Sequence, residues 1–310
     1  MRVTLIYNPA AGSDEQLSSN ELAGLVRAAG HVVVHQLSHN DSWDEALKKP
    51  ADIVAVAGGD GTVGKVAKQQ LLGKPAPIAV LPLGTANNIA TTLGLVNQPL
   101  ERLIAEWEKA ERVRFDVGEA RGPWGSTYFI EGFGIGLFSD TMSTLDARDN
   151  IDLAHLDAPE EKITSVLGLL KERLQSYQSK KLKVALDGQD LSGDYILLEA
   201  LNVTHIGPNL HLAPNANTGD GLLDVVLLSK GDADRLNRYL SDCAEGKPTG
   251  LGLGARRGRH LQMEWHGFAI HIDDEMWPDK KFTLPPWPSI IDVEMSGQAL
   301  EFLAPRKALS

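Results

Sequence analysis

A strand-like run, Ile53–Ala57, leads straight into Gly58-Gly59-Asp60-Gly61-Thr62, and Val63, Val66 and Ala67 follow at helical spacing. A strand, a glycine loop and a helix start form the geometry in which backbone N–H groups converge on phosphate oxygens. Three chemistries compete for these residues. Gly59-x-Gly61-x-x-Gly64 satisfies the dinucleotide fingerprint, but that pattern needs an acidic residue about 20 positions on for the ribose. The next strand ends instead in Leu81-Pro82-Leu83-Gly84, and Asp60 would stand against the pyrophosphate. Gly59 to Lys65 also satisfies the P-loop pattern, yet Val66 occupies the position of the Mg²⁺-binding hydroxyl. The third chemistry uses Asp60: a carboxylate inside a phosphate loop is tolerable when a divalent cation lies between it and a triphosphate. That is a Mg²⁺-nucleotide phosphotransferase. It stands against a plain tight turn, for which Asp-Gly is a common choice.

The surrounding pattern says what must hold this loop. Short β-branched runs (Val3–Tyr7, Val32–Leu37, Ile53–Ala57, Ile78–Leu81) alternate with segments of helical period such as Leu17, Leu22, Leu25, Val26 and Leu100, Leu103, Ile104, Trp107. Continuous apolar strands between helices predict a parallel sheet covered on both faces, hence an N-terminal doubly wound α/β nucleotide-binding domain over residues 1–115 with ligands at the C-terminal strand ends. After Val113 strands follow one another directly, and only Glu160–Tyr177 and Asp232–Ala244 read as helices. This predicts a C-terminal antiparallel β-sandwich over residues 116–298. The tail Ala299–Pro305 is a short apolar run that fits either domain, with 299–310 rejoining the first as one arrangement.

The 310 residues carry 30 basic and 41 acidic side chains, a net charge of −11, which argues against a nucleic-acid partner because phosphate neutralisation needs a basic surface. Residues 1–115 hold 11 basic and 12 acidic groups, so nearly all of the excess lies beyond them. A single cysteine, Cys243, permits no intramolecular disulfide and reads as structural in a reducing compartment. The N-terminal apolar run is too short for a signal peptide, and no stretch approaches the ~20 apolar residues of a membrane span. The expectation is a cytoplasmic protein with at most transient peripheral membrane contact. His31, His35 and His39 flank the strand Val32–Val34, so they do not share a face and do not read as a metal site.

With these residues in place, the chain resembles the diacylglycerol kinase catalytic-domain family, in particular the soluble bacterial lipid kinases, over nearly its full length. The resemblance rests on Asn8-Pro9-Ala10-Ala11-Gly12, Gly58–Thr62, Leu81-Pro82-Leu83-Gly84-Thr85-Ala86-Asn87-Asn88, Phe115-Asp116-Val117-Gly118, Gly132-Phe133-Gly134-Ile135-Gly136, Asp220-Gly221-Leu222-Leu223-Asp224-Val225 and Asp273-Asp274-Glu275. GGDGT alone is shared with NAD kinases; its order with PLGTAN and DGLLDV is far more specific. The resemblance implies ATP in a cleft, with Asn8 and Gly12 near the nucleotide, Gly59, Asp60, Gly61 and Thr62 at its phosphates and Thr85 beside them. It implies a lipid substrate, Glu275 as the base that takes the hydroxyl proton, and Asp60 and Asp116 holding Mg²⁺ or its waters. It further implies a structural Mg²⁺ bound by the Asp220 carboxylate and the carbonyls of Asn217 and Leu222, an oxygen-only set that suits a hard cation.

Four departures from the family pattern stand out. Asn88 stands where a carboxylate is usual, Gly64-Lys65 replace Asn-Glu, Asp274 replaces the glycine of Asp-Gly-Glu, and Thr204–Leu212 replaces a glycine-rich stretch. Lys65 is expected to compensate in part by meeting a phosphate directly. The expected activity is phosphorylation of the hydroxyl of diacylglycerol or a related lipid. The runners-up are a sphingoid-base kinase, an NAD kinase, and a nucleotide-binding regulator without transfer. Arg256-Arg257-Gly258-Arg259-His260 is the compact basic cluster for lipid headgroups, and Trp277, Pro285, Pro286 and Trp287 around Lys280-Lys281 form a candidate interfacial patch.

Overall fold

A computed structural model describes residues 1–11, 17–38, 43–147, 156, 158–247, 250–278 and 288–306. Two compact units divide the chain, the first built mainly from residues 1–115 with 298 onward, the second from 116 to 297 apart from a few residues near 158.

In the first unit the order is β1 (Arg2–Tyr7), α1 (Ser19–Ala28), β2 (Val32–Ser38), α2 (Asp44–Leu47), β3 (Ile53–Gly58), α3 (Asp60–Gln70), β4 (Ile78–Pro82), α4 (Asn88–Thr92) and α5 (Leu100–Glu106). The four strands run parallel in the order β2-β1-β3-β4, and Phe302 adds beside Ile78 in the same direction. All six positions of β3 are buried, which requires cover on both faces of the sheet, as the unbroken apolar run predicts. Helix α1 starts where Ser18 and Glu21 form a reciprocal capping box and buries Leu22, Ala23 and Val26. His31 stacks on Trp107 and its Nε2 meets the Ile104 carbonyl, an ordinary core role, while His39 lies outside the described residues.

The chain continues with β5 (Glu111–Gly122), β6 (Gly125–Phe129), β7 (Gly132–Gly136), α6 (Leu137–Ala147), α7 (Pro159–Ser176), β8 (Lys180–Leu182), β9 (Val184–Leu186), β10 (Gln189–Asp190) and β11 (Gly193–Leu201), entering the second unit at Asp116. Then come β12 (His205–Ile206), β13 (Leu210–His211), β14 (Leu223–Ser229), α8 (Ala233–Ala244), β15 (Arg256–Gly258), β16 (His260–Trp265), β17 (Ile270–Ile272), β18 (Glu275–Trp277) and β19 (Ser289–Ala304). One sheet has the order β15-β14-β11-β7-β17-β18 with antiparallel pairing throughout. Facing it, β9, β16 and the first half of β19 are likewise antiparallel. Leu198, Ala200, Leu223 and Val225 turn toward Leu261, Met263, Trp265 and Val293, filling the sandwich. Ile196, Val226 and Leu228 turn the other way, onto Leu167, Leu170, Leu236 and Leu240.

The helical layer is thicker than the sequence suggests. Helix α6 reads as no helix because Ser, Thr and Asp have low propensity for one. Their hydroxyls bond back to carbonyls inside the fold instead: Ser139 to Gly134, Thr141 to Leu137 and Thr144 to Asp140. The run Thr127–Gly132 is also two strands rather than one, interrupted at Ile130 and Glu131.

Candidate active site

In the first unit, three loops meet at the C-terminal ends of β1, β3 and β4. Gly59 and Gly84 bring the β3 and β4 loops into backbone contact: a Cβ on Gly84 would collide with the Gly59 Cα. Only glycine permits that approach. Asn8 ties the first loop in, its Nδ2 donating to Thr62 Oγ1 at 2.8 Å while its Oδ1 accepts from Ala10 N at 3.0 Å. The turn after β4 is closed by Asn87, left-handed at φ 54°, whose side chain accepts from Gly84 N and donates to Gly84 O. Asp60 does not stand alone in the loop. Its Oδ2 accepts from Asn88 N at 2.9 Å and its Oδ1 from Ile89 N at 3.0 Å, so it caps the first turn of α4.

The other expected nucleotide residues sort by exposure. Thr62 is buried against Asn8, Gly61 and Thr85 are half-buried, and Lys65 is exposed on α3. Gly12 lies outside the described residues.

In the second unit, Asp116 is 2% exposed and sits under the loop that follows residue 216. Its N–H donates to Thr218 O, its Oδ2 accepts from Gly221 N at 2.7 Å, and its carbonyl accepts from Asn202 Nδ2 at 2.8 Å. In the same loop, Asp220 Oδ1 accepts from Leu222 N at 3.1 Å and Oδ2 is ion-paired with the Arg257 guanidinium. Arg257 Nε also lies 3.5 Å from Asp224, whose carboxyl is pushed above its ordinary range by burial and by Asp220, against the pull of Arg257. The carboxylate that the resemblance assigns to a structural cation is therefore already neutralised by a guanidinium. A divalent ion there would have to displace Arg257 from the carboxylate, and no cluster of three or more His, Cys, Asp or Glu suited to a metal gathers among the described residues.

The acidic turn after β17 separates its three members. Asp273 is left-handed at φ 52° and its carboxylate gathers the N–H groups of Ile130, Glu131 and Gly132, at 2.8 to 3.3 Å. This is why the strand breaks there. Asp273 N also donates to Gly132 O, so the turn is tied down from both ends. Asp274 and Glu275 are exposed, Glu275 opening β18 opposite Ile272.

Two protein-family models match consecutive parts of the chain: the diacylglycerol kinase catalytic domain over residues 2–120 and the YegS C-terminal NAD kinase beta sandwich-like domain over residues 141–293. The chain belongs to the bacterial diacylglycerol kinase and YegS-like lipid kinase family. A diacylglycerol kinase of Mycobacterium tuberculosis is 24% identical to it, over 88% of each chain. A probable lipid kinase YegS-like protein of Chromohalobacter salexigens is 28% identical over 85% of this chain and 84% of its own. Among solved structures, a diacylglycerol kinase from Bacillus anthracis superposes with a TM-score of 0.66 at 20% identity, covering 98% of this chain and 96% of that one. An NAD kinase from Archaeoglobus fulgidus shares the fold at a TM-score of 0.51 and 13% identity, over 99% and 95%. These likenesses carry the fold: a mixed α/β domain followed by an antiparallel sandwich of the NAD kinase type.

The expected membrane patch changes character. Trp277 packs on Trp124 with ring centroids 5.5 Å apart and against the sandwich core, and residues 280, 281 and 285–287 lie outside the described residues. In the basic cluster Arg256, Arg257 and Arg259 are all exposed, but Arg257 serves Asp220 and Asp224, and His260 Nε2 lies 2.7 Å from Asp292. No helix of the described residues is long and apolar enough to cross a membrane. Sequence reading assigns no role to Asn87 or Asn202, although Asn87 sits inside a motif, and it assigns Arg257 to lipid headgroups where the structure pairs it with Asp220 and Asp224.

Proposed function

We propose that this chain is a lipid kinase that transfers the γ-phosphate of Mg²⁺·ATP to the hydroxyl of diacylglycerol or a closely related lipid. The observation that carries the reading is the clasp of Gly59 against Gly84, with Asp60 seated on α4, at the C-terminal edge of a parallel sheet in a chain of lipid-kinase lineage. Ligands of such sheets bind at that edge. In this reading Asn8, Gly12, Gly59, Gly61, Thr62, Lys65 and Thr85 hold the nucleotide, and Asp60 and Asp116 orient waters of the magnesium that arrives with it. Phosphoryl transfer asks for positioning and charge stabilisation more than for covalent chemistry. The acceptor oxygen attacks the γ-phosphorus, the bond to the β–γ bridging oxygen breaks, ADP leaves, and the hydroxyl proton passes to the Glu275 carboxylate. A structural cation at Asn217, Asp220 and Leu222 is not needed for any of these steps.

The test is radiolabelled ATP with diacylglycerol, a sphingoid base and NAD as acceptors, beside a nucleotide-binding measurement. Label in the diacylglycerol arm is the expected result. Label in NAD alone identifies an NAD kinase, which the shared fold makes a necessary arm. Bound nucleotide without any labelled product identifies a regulator. Asp60→Ala and Glu275→Gln are each expected to lower transfer by about 100-fold or more, the scale of lost acid–base or electrostatic catalysis; a wild-type rate in either removes that residue from the mechanism.

A further inference from the structure

Strand β11 carries an acid inside an otherwise apolar run, Glu199 in Ile196-Leu197-Leu198-Glu199-Ala200-Leu201, and β17 carries His271 between two isoleucines. Both are buried, Glu199 at 0% and His271 at 1% exposure. Charged residues are almost never fully buried unless paired, and these two are: His271 Nε2 lies 2.9 Å from Glu199 Oε2. The register explains how they meet. Gly134 of β7 is opposite Glu199 on one side and opposite His271 on the other, so the three form one row across neighbouring strands. A Cβ on Gly134 would collide with both head groups; its absence leaves the space in which they touch. The Phe138 ring of α6 closes the site edge-on against His271, with centroids 5.2 Å apart.

The other imidazole nitrogen faces the catalytic turn. His271 Nδ1 lies 3.1 Å from the Asp273 carbonyl. A carbonyl can only accept, so Nδ1 carries a hydrogen, and Glu199 on the opposite nitrogen fixes that arrangement in either protonation state. Burial raises the Glu199 carboxyl against the opposing pull of His271. The imidazole is raised too, because Glu199 and the Asp273 carbonyl outweigh the burial that opposes its charge. The 2.9 Å contact requires a hydrogen on the line between Nε2 and Oε2, carried by one partner or the other. Glu199 Oε1 has no hydrogen-bond partner among the described residues, which is unfavourable for a buried acceptor. Packing alone would have favoured an apolar pair.

We propose that Glu199 and His271 are positioning residues for phosphoryl transfer: they hold the Asp273 carbonyl, keep the Asp273–Glu275 turn in its left-handed conformation, and so aim Glu275. The inference rests on Glu275 being the proton acceptor. One arm of the test does not. In wild-type protein labelled with ¹⁵N at histidine, the spectrum should show His271 protonated at Nδ1, and a bare Nδ1 overturns the proposal whatever the activity.

The second arm is kinetic. His271→Leu should lower kcat by about 10-fold or more, the scale of lost outer-sphere support for a functional group, with KM for Mg²⁺·ATP within about twofold. His271→Asn keeps an N–H near the Nδ1 position and should recover most of the loss, and Glu199→Gln should be milder than Glu199→Leu for the same reason. Equal kcat in wild type and His271→Leu overturns the proposal, as does a loss that Asn does not relieve in a variant that melts like wild type. Should the wild type transfer no phosphate to any acceptor, the functional reading fails, while the imidazole spectrum still reports on the hydrogen bond to Asp273.

Discussion

Gly84 shows how much one missing methyl can decide. Because a Cβ there would collide with Gly59 Cα, Gly84→Ala must part the loops of β3 and β4. We expect about 1–3 kcal/mol of lost stability from the overpacking, read by denaturant unfolding, and at least a tenfold weaker Mg²⁺·ATP binding by calorimetry. Unchanged affinity would mean that the clasp does not shape the nucleotide loop. His205 supports a separate prediction. It stacks on His211 at 4.3 Å, and burial together with that neighbour pulls its pKa from 6.5 down to about 4. A base depressed in the fold binds fewer protons than its unfolded counterpart between these values. Its neutral burial is therefore fully tolerated above about pH 6.5, and stability is lost as the pH falls toward 4. Thermal melts of wild type should drop more steeply over that window than those of His205→Phe. Glu199 was visible in the sequence as a lone acid in an apolar strand, but its partner lies 72 residues away and no local pattern joins them.

At the scale of elements, the strands and most helices are legible because period and burial are local properties. β3 reads as a fully buried strand and is one. Helix α6 escaped that reading, since its hydroxyl-rich sequence is helical only with the carbonyl bonds and apolar cover that the fold supplies. The loop between β13 and β14 is the other case where context rules. Asp116 holds its backbone and Arg257 holds its carboxylate, so this loop is ordered by protein groups. Arg257→Ala should lower the melting temperature and make it rise on adding millimolar Mg²⁺, because Asp220 and Asp224 are then left as an uncompensated pair. The wild type should melt at the same temperature with Mg²⁺ or with chelator when no nucleotide is present. A Mg²⁺-dependent melt in the wild type that Asp220→Asn abolishes would show a cation site there after all.

For the whole molecule, the charge sum of −11 limits how such a chain can meet a lipid bilayer. An anionic surface repels most of it, and attraction falls to exposed cations such as Arg256 and Arg259, acting within a Debye length of about 8 Å at physiological salt. Cosedimentation with anionic vesicles should be weak at low salt, vanish near 0.5 M salt, and be reduced by Arg256→Glu with Arg259→Glu. Salt-insensitive binding would point to apolar insertion instead. The sequence by itself determined the order of motifs, the change from alternating α/β to strand-rich texture, and the glycine loop at a strand end, since each follows from local spacing. Only the tertiary structure decided which acid does what. Asp60 caps α4 from 28 residues away, Asp116 holds Gly221 across 105, and Asp273 gathers Ile130 across 143. A carboxylate's task is set by the donors that reach it, and here those donors come from distant chain that only folding brings near.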